Sequence, residues 1–254
     1  MKKNLYFRHV FRRANVLQDV FLIFFLMIAS WPRIVLEVFS RKNFGDRYFS
    51  LPSALTVFGL LAAFPYGQSG GFSRYGGPSF RTVMEHNVSW YAFLAVFLVF
   101  IFLRWREMQN GPSVFDFGRF SLSAGEVHPR FYDLRLGKKS PSIRTIEIWL
   151  EPLLFFLTGF LLWKMEQNVG ALLMVCSVIY SLSYRAAYHI GDNFIKDKID
   201  EMICNEEVYS AFVEELDPSK TRGVHFYGHK PADPDMRRNV ADSFMEQDEV
   251  AEAR

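Results

Sequence analysis

Four side chains in the second half of this 254-residue sequence have the types and spacing that chemistry uses. Glu147 and Glu151 lie one helical turn apart in IEIWLEPLLFFLTGFLLW (146–163), and Arg185 and His189 lie one turn apart in SYRAAYHIGDN (183–193). Two carboxylates, a guanidinium and an imidazole that titrates near neutrality are the parts of a proton or ion relay. They are equally the parts of an ion pair that fixes the register of two helices. A charge well inside hydrocarbon costs about 2.5–3.5 kcal/mol even on a lenient insertion scale, so it faces protein or water and pairs. The turn 164–168 is short, which makes the flanking apolar blocks antiparallel neighbours. Counting outward from that turn sets Glu147 level with about residue 186, beside Arg185, and Glu151 about one turn deeper, near Ser181 and Ser183. The expectation is a Glu147–Arg185 pair, with Glu151 bonded by hydroxyls or water. Tyr184, Tyr188, His189 and Asp192 sit at the same level.

The other chemically suggestive groups are weaker. His225 and His229 in HFYGH are four apart and precede Asp233 and Asp235, but Gly228 and Pro231 make this a loop with no third strong ligand fixed in place. Glu126, His128 and Asp133 lie in a loop where nothing orients them. Cys176 and Cys204 read as buried structural thiols, not as a disulfide framework or metal site. The sequon NVS (87–89) abuts an apolar block closely enough to be unused. The Gly pairs at 70–71 and 76–77 lack a phosphate-loop lysine. The reading is therefore no catalytic residue, no cofactor and no metal, and a chain that is not an enzyme.

The elements that must position the central cluster are read from the distribution of charge. Half the residues are hydrophobic, including 27 Phe, and they fall in nearly uncharged blocks. A bilayer core about 30 Å thick needs about 20 helical residues to cross it. Four blocks fit: 51–66, 88–103, 146–163 and 169–190. Trp and Tyr at their ends form the expected aromatic belts. In the middle of these spans, Gly59 and Gly159 read as helix contacts and not as unwound substrate sites.

Residues 1–15 carry five Lys or Arg and no acid. The run that follows is clean only from Val20 to Ala29, too short to span unaided, and is interrupted by Trp31-Pro32-Arg33 and Glu37. Arg12, Asn15, Asp19, Ser30, Arg33, Glu37 and Arg41 fall roughly on one helical face, the pattern of an interfacial or re-entrant segment. Lys2, Lys3, Arg8, Arg12 and Arg13, with Arg41, Lys42 and Arg47, set topology and can attract anionic lipid. No fold for nucleic-acid recognition accompanies them, so no nucleic acid is expected.

Lys and Arg gather before Leu51, in 104–145 and after Ile190, which places both termini and the central loop in the cytoplasm. The fold class is thus an all-α integral membrane protein: a four-span antiparallel helical bundle with an N-terminal interfacial or re-entrant amphipathic helix and a cytoplasmic C-terminal helix. Its segments are 1–47, the first hairpin 48–103, the loop 104–145, the second hairpin 146–190, and the C-terminal helix and tail 191–254. Loop 67–87 is Gly- and Ser-rich and mobile.

Beyond the last span, Ile195, Ile199, Met202, Ile203, Tyr209, Phe212, Val213 and Leu216 recur three and four apart, an apolar stripe that must be covered. A second, shorter helix is expected from about Met236. The stripe could pack within the chain, on a second copy or on another protein. The expected function is a non-enzymatic multi-pass subunit, an anchor or scaffold in a larger envelope assembly such as a secretion or conjugation apparatus, in a bacterial-type inner membrane. Its partners would be membrane lipids and other protein subunits through the C-terminal helix, with a homo-oligomer as a further option. The alternative is a small channel or transporter using the charged cluster at the cytoplasmic mouth.

Overall fold

A computed structural model describes residues 3–11, 16–70, 77–112, 114–115, 117–134 and 140–246. Lys2, Arg12, Arg13, Asn15, Gly71, Gly76 and the tail beyond Glu246 lie outside the described residues. The main helices are α1 (Val16–Ser40), α2 (Leu51–Gln68), α3 (Phe80–His86), α4 (Val88–Asn110), α5 (Ile143–Lys164), α6 (Asn168–Phe212) and α7 (Pro234–Ser243). The strands β1 (Lys3–Asn4) and β2 (Met245–Glu246) pair antiparallel. The chain divides into two compact units: residues 21–187, and residues 1–20 together with 188–254.

Among the described residues, four helices are long and apolar enough to cross a membrane: Val20–Ser40 within α1, then α4, α5 and α6. Two sequence expectations change. The run near the N-terminus belongs to one unbroken helix that continues through Pro32, so it is not too short to span. The block expected as the first span is α2, whose polar end, Tyr66-Gly67-Gln68, leaves it outside the set of four. A third change concerns the C-terminal helix. It is not separate from the last span, because α6 runs 45 residues without a break, about 68 Å at 1.5 Å per residue.

In the larger unit, proline explains how the helices are tied together. A proline inside a helix withdraws the N–H that would serve the carbonyl four residues earlier, and in lipid such a carbonyl needs another donor. Pro65 frees the carbonyl of Leu61, and the Trp90 indole N–H on α4 donates to it at 2.9 Å. Pro152 frees the carbonyl of Ile148, and the Ser181 hydroxyl on α6 donates to it at 2.7 Å. The α5 backbone widens into a π-turn at Ile146–Leu150, just ahead of that proline. The Tyr91 hydroxyl adds a bond to the Ala62 carbonyl at 3.2 Å.

Between α5 and α6, residues 148, 152 and 159 meet 181, 177 and 170 in turn. Gly159 and Gly170 face each other closely. A Cβ on Gly170 would lie 2.3 Å from the Trp163 nitrogen and 2.4 Å from the Gly159 oxygen. Small residues at such a crossing let two backbones approach. Gly59, also expected at a helix contact, has open space where its Cβ would be.

The C-terminal half of α1 is enclosed, with Val35, Leu36, Glu37 and Val38 all buried. Phe39 packs on Phe93, Phe97 and Phe100 of α4. The segment after α1 is bonded to the central loop: Lys42 bridges Glu126, and the Gly45 and Arg47 N–H groups donate to the Ser123 and Ser121 carbonyls. Gly45 has no alternative there, since a Cβ would sit 2.2 Å from the Ser121 oxygen.

The smaller unit joins the two ends of the sequence. Tyr6 lies among Cys204 and Val208 of α6 and stacks on Phe226 and Phe244. Its hydroxyl accepts the Tyr227 N–H at 2.6 Å, and β1 pairs with β2 alongside. Phe212 closes the cluster against Phe226 with ring centroids 4.4 Å apart. Helix α7 begins at Pro234, capped by the Asp233 carboxylate.

Candidate functional site

The sequence places ionisable groups four residues apart along three helices: Arg33 and Glu37 on α1 with Arg41 just past its end, its N–H still bonded to the Glu37 carbonyl, Glu147 and Glu151 on α5, and Tyr180 and Tyr184 on α6. Four residues is one turn plus a little, so each set forms a short ladder along one helix face. The three ladders meet in one buried network.

Arg41 is its centre, with a fully buried side chain. Its Nε and Nη2 hold the two oxygens of Glu151 at 3.3 and 2.5 Å, the bidentate geometry a guanidinium fork favours. Its Nη1 lies 3.1 Å from Glu147 and donates to the Tyr184 hydroxyl at 2.6 Å. The Tyr180 hydroxyl donates to Glu151 at 2.5 Å, so that carboxylate is served from two helices. Tyr184 passes the chain on, donating to Glu37 at 2.9 Å. Glu37 also takes the Tyr48 hydroxyl at 2.7 Å and the Arg33 Nε at 3.1 Å. The Tyr184 ring lies between two guanidinium groups, 4.2 Å from that of Arg33 and 4.8 Å from that of Arg41, so cation–π attraction adds to the ion pairs.

Tyr48, in the connection after α1, shows the effect of this environment. Burial first, and then the Glu37 carboxylate, hold its phenol well above the usual range. It is therefore a fixed proton donor at neutral pH.

The expected site residues fare differently. Glu147 and Glu151 are buried, and their cationic partner is Arg41. Arg185 is exposed and does not form the anticipated pair with Glu147. The pairs 148/181, 152/177 and 159/170 set Glu147 level with about residue 182, a turn short of the expected 186, and Tyr184 faces inward, which turns Arg185 outward. The hydroxyls expected on Glu151 go to carbonyls, Ser181 to Ile148 and Ser183 to Tyr180, and Tyr180 takes their place. His189 is exposed, with its ring against the Asn193 amide at 3.0 Å.

The C-terminal stripe divides. Phe212 is buried and Ile203 and Val213 are half-buried, whereas Ile195, Ile199, Met202, Tyr209 and Leu216 are exposed. The inward face of α6 there runs through Glu201, Cys204, Val208 and Phe212. Val213 and Leu216 follow the helix end.

No group of three or more His, Cys, Asp or Glu capable of holding a metal occurs among the described residues. His225 packs edge-on against Tyr227. A separate cavity of about 360 Å³ opens between α2, α4 and the start of α6, walled by Leu61, Phe64, Leu172 and Val175 with the amides of Gln68, Asn87 and Asn168 at its polar margin. None of its lining residues is ionisable.

Sequence reasoning missed Arg41, Glu37, Arg33 and Tyr48 as partners of the glutamates. The signal was present in the three ladders of equal spacing. No family model matches the chain, and no curated protein or solved structure is similar to it at a level that carries an assignment.

Proposed function

We propose that the chain is a non-enzymatic multi-pass membrane subunit, an anchor or scaffold in a larger envelope assembly such as a secretion or conjugation apparatus. The observation that carries the reading is the closed Arg41 network. Each of its three carboxylates has a guanidinium partner, and Glu37 and Glu151 also accept phenol hydroxyls. A set of charges satisfied in this way fixes helices in one arrangement, as a scaffold requires.

The same network supports a crossing count. Helices α4, α5 and α6 each cross once in this reading. Arg41 and Glu147 are 3.1 Å apart, and between them in sequence lie α2 and α4. For both residues to stand on one side of the bilayer, α2 must cross as α4 does. The bundle is then α2, α4, α5 and α6, antiparallel in sequence order. Its eighteen-residue α2 is about 27 Å long, close to the hydrocarbon thickness. The Lys- and Arg-rich loop 104–145 and the C-terminal region then face the cytoplasm.

Exposed apolar side chains on that side supply contact surface: Phe115, Phe117 and Phe120 in the loop, and Phe194, Ile195 and Ile199 on the extension of α6. Apolar surface of this kind marks contact with protein or membrane. Crosslinking and mass spectrometry of the native membrane test the proposal, with crosslinks from 115–120 and 194–209 to other subunits as the expected result. Self-contacts alone would remove the scaffold reading. Proton flux in proteoliposomes that is lost in Glu151→Gln would replace it with a transport path.

A further inference from the structure

Residues 21–31 of α1 present an apolar outer face that the described residues leave open. Phe21, Phe24, Met27, Ile28 and Trp31 are each half or more exposed, at spacings of three and four that put them on one side of the helix. Four residues later the same helix is buried in the unit that holds Arg41. The outer half therefore leaves the protein core with its apolar face uncovered.

The parity of the chain decides what covers it. Tyr6 is packed on Cys204 and Val208, and β1 is paired with β2, so the N-terminus and the segment beyond the last crossing stand on one side of the membrane. An even number of crossings is required. The proposed function already counts four, α2, α4, α5 and α6, and this inference rests on that count. A fifth crossing by α1 would carry Tyr6 to the opposite side from Val208. One continuous helix cannot cross twice. Hence α1 crosses zero times, although its length and composition would allow it.

An apolar helix face at a membrane protein that does not cross lies in the leaflet. We propose that the Phe21–Trp31 face of α1 docks in the plane of the bilayer, in the leaflet on the side that holds both termini. The first fifteen residues carry five Lys or Arg and no acid, so an anionic leaflet is the complementary surface. The helix enters the interface from this basic end and is pinned at the other by the Arg41–Glu151 pair.

The test uses the full chain with Cys176 and Cys204 replaced by Ala, reconstituted in phosphatidylglycerol–phosphatidylethanolamine vesicles. Single spin labels go at Phe21, Phe24, Met27 and Trp31, exposed positions where substitution leaves the core intact. An in-plane helix gives equal oxygen-to-nickel accessibility ratios at all four, within about twofold. A crossing helix gives a steady gradient, since Phe21 and Trp31 are about 15 Å apart along the axis, and that result overturns the inference. Low access to both reagents would mean that protein covers the face, which also overturns it.

Impermeant maleimide on Val10→Cys and Ser243→Cys separates this failure from failure of the crossing count. Labelling of both from the same side with low spin-label access to both reagents keeps the count and overturns the inference alone, whereas same-side labelling with a gradient means that α1 crosses in place of one of the four and removes both. Labelling from opposite sides removes the count and the inference together.

Discussion

Replacing Arg41 with Met tests whether the charged network holds the helices together. The substitution removes a fully buried guanidinium and keeps an unbranched apolar stem in its place. Glu151 loses its bidentate partner and retains only the Tyr180 hydroxyl, while Glu147 loses an ion pair at 3.1 Å. Removing one member of a buried pair costs about 3–5 kcal/mol, mostly because the other charge is left unpaired. At about 2–4 °C per kcal/mol for a chain of this size, the melting temperature should fall by about 6–20 °C. Intrinsic tryptophan fluorescence of the detergent-solubilised protein reads this directly. Arg41→Met combined with Glu151→Gln removes the unpaired charge with its partner and should recover most of the loss, because an absent pair is tolerated far better than a broken one. Arg185→Ala is the control. An exposed residue away from such features changes stability by no more than about 0.5 kcal/mol. Equal losses for Arg41→Met and Arg185→Ala, or a double variant no better than the single, would refute the argument.

Three further outcomes are expected. Gly170→Ala should destabilise by about 1–3 kcal/mol in the same melt, since its methyl would meet backbone that cannot move aside. Gly59→Ala, with open space around it, should be neutral or stabilising by up to about 1 kcal/mol, and a reversed order of the two would contradict the α5–α6 crossing. Trp90→Phe deprives the Leu61 carbonyl of the donor that replaces the one Pro65 lacks, at a cost of about 0.6–1.7 kcal/mol; combining it with Pro65→Ala, which restores the helical donor, should return part of that loss. Cys204 lies in the Tyr6 cluster of the smaller unit, and burial, with a lesser push from Glu201, raises its thiol to about 11. The neutral form is thus favoured in the folded state: stability is full below the unfolded value of about 8.5 and declines as pH rises toward about 11. Alkylation of the native protein at pH 8 should be slow, with roughly one thiol in a thousand ionised, and should accelerate on unfolding in denaturant.

The helices that announce themselves in sequence as candidate spans are those whose apolar run and helix coincide, α4 and α5. Helices α1 and α2 mislead for opposite reasons. Composition shows Pro32, Arg33 and Glu37 as interruptions in α1, yet the helix tolerates them because Arg33 and Glu37 find buried partners in Tyr48 and Tyr184. In α2 the polar end and Pro65 weaken the apolar signal, yet Trp90 supplies the bond that proline removes. In both cases a side chain distant in sequence supplies what the local pattern lacks, and periodicity within one segment carries no trace of it. The C-terminal stripe fails similarly: spacing shows that residues 195–216 have an apolar side, but only the arrival of Tyr6, Phe226 and Phe244 selects Cys204, Val208 and Phe212 as the inward face.

The glutamates were legible as groups that need a cation, and the arginine assigned to them was wrong for a reason of geometry. Sequence proximity across a short turn favours Arg185, but its angle on α6 points it away, and Tyr180 and Tyr184 hold the inward positions. A helix of 3.6 residues per turn repeats its face at intervals of three and four, so Tyr180 and Tyr184 select each other and exclude Arg185. The cation must then come from another element, and Arg33 and Glu37 of α1, with Arg41 just past its end, repeat at the same interval. Matching spacing on three helices is a stronger indicator of a shared network than nearness across one turn. It also links the site to topology: an ion pair between residues 41 and 151 constrains every crossing that lies between them in the chain. In the proposed crossing count that pair sets α2 among the crossings, and it is the packing of Tyr6 on Cys204 and Val208 that then leaves none for α1.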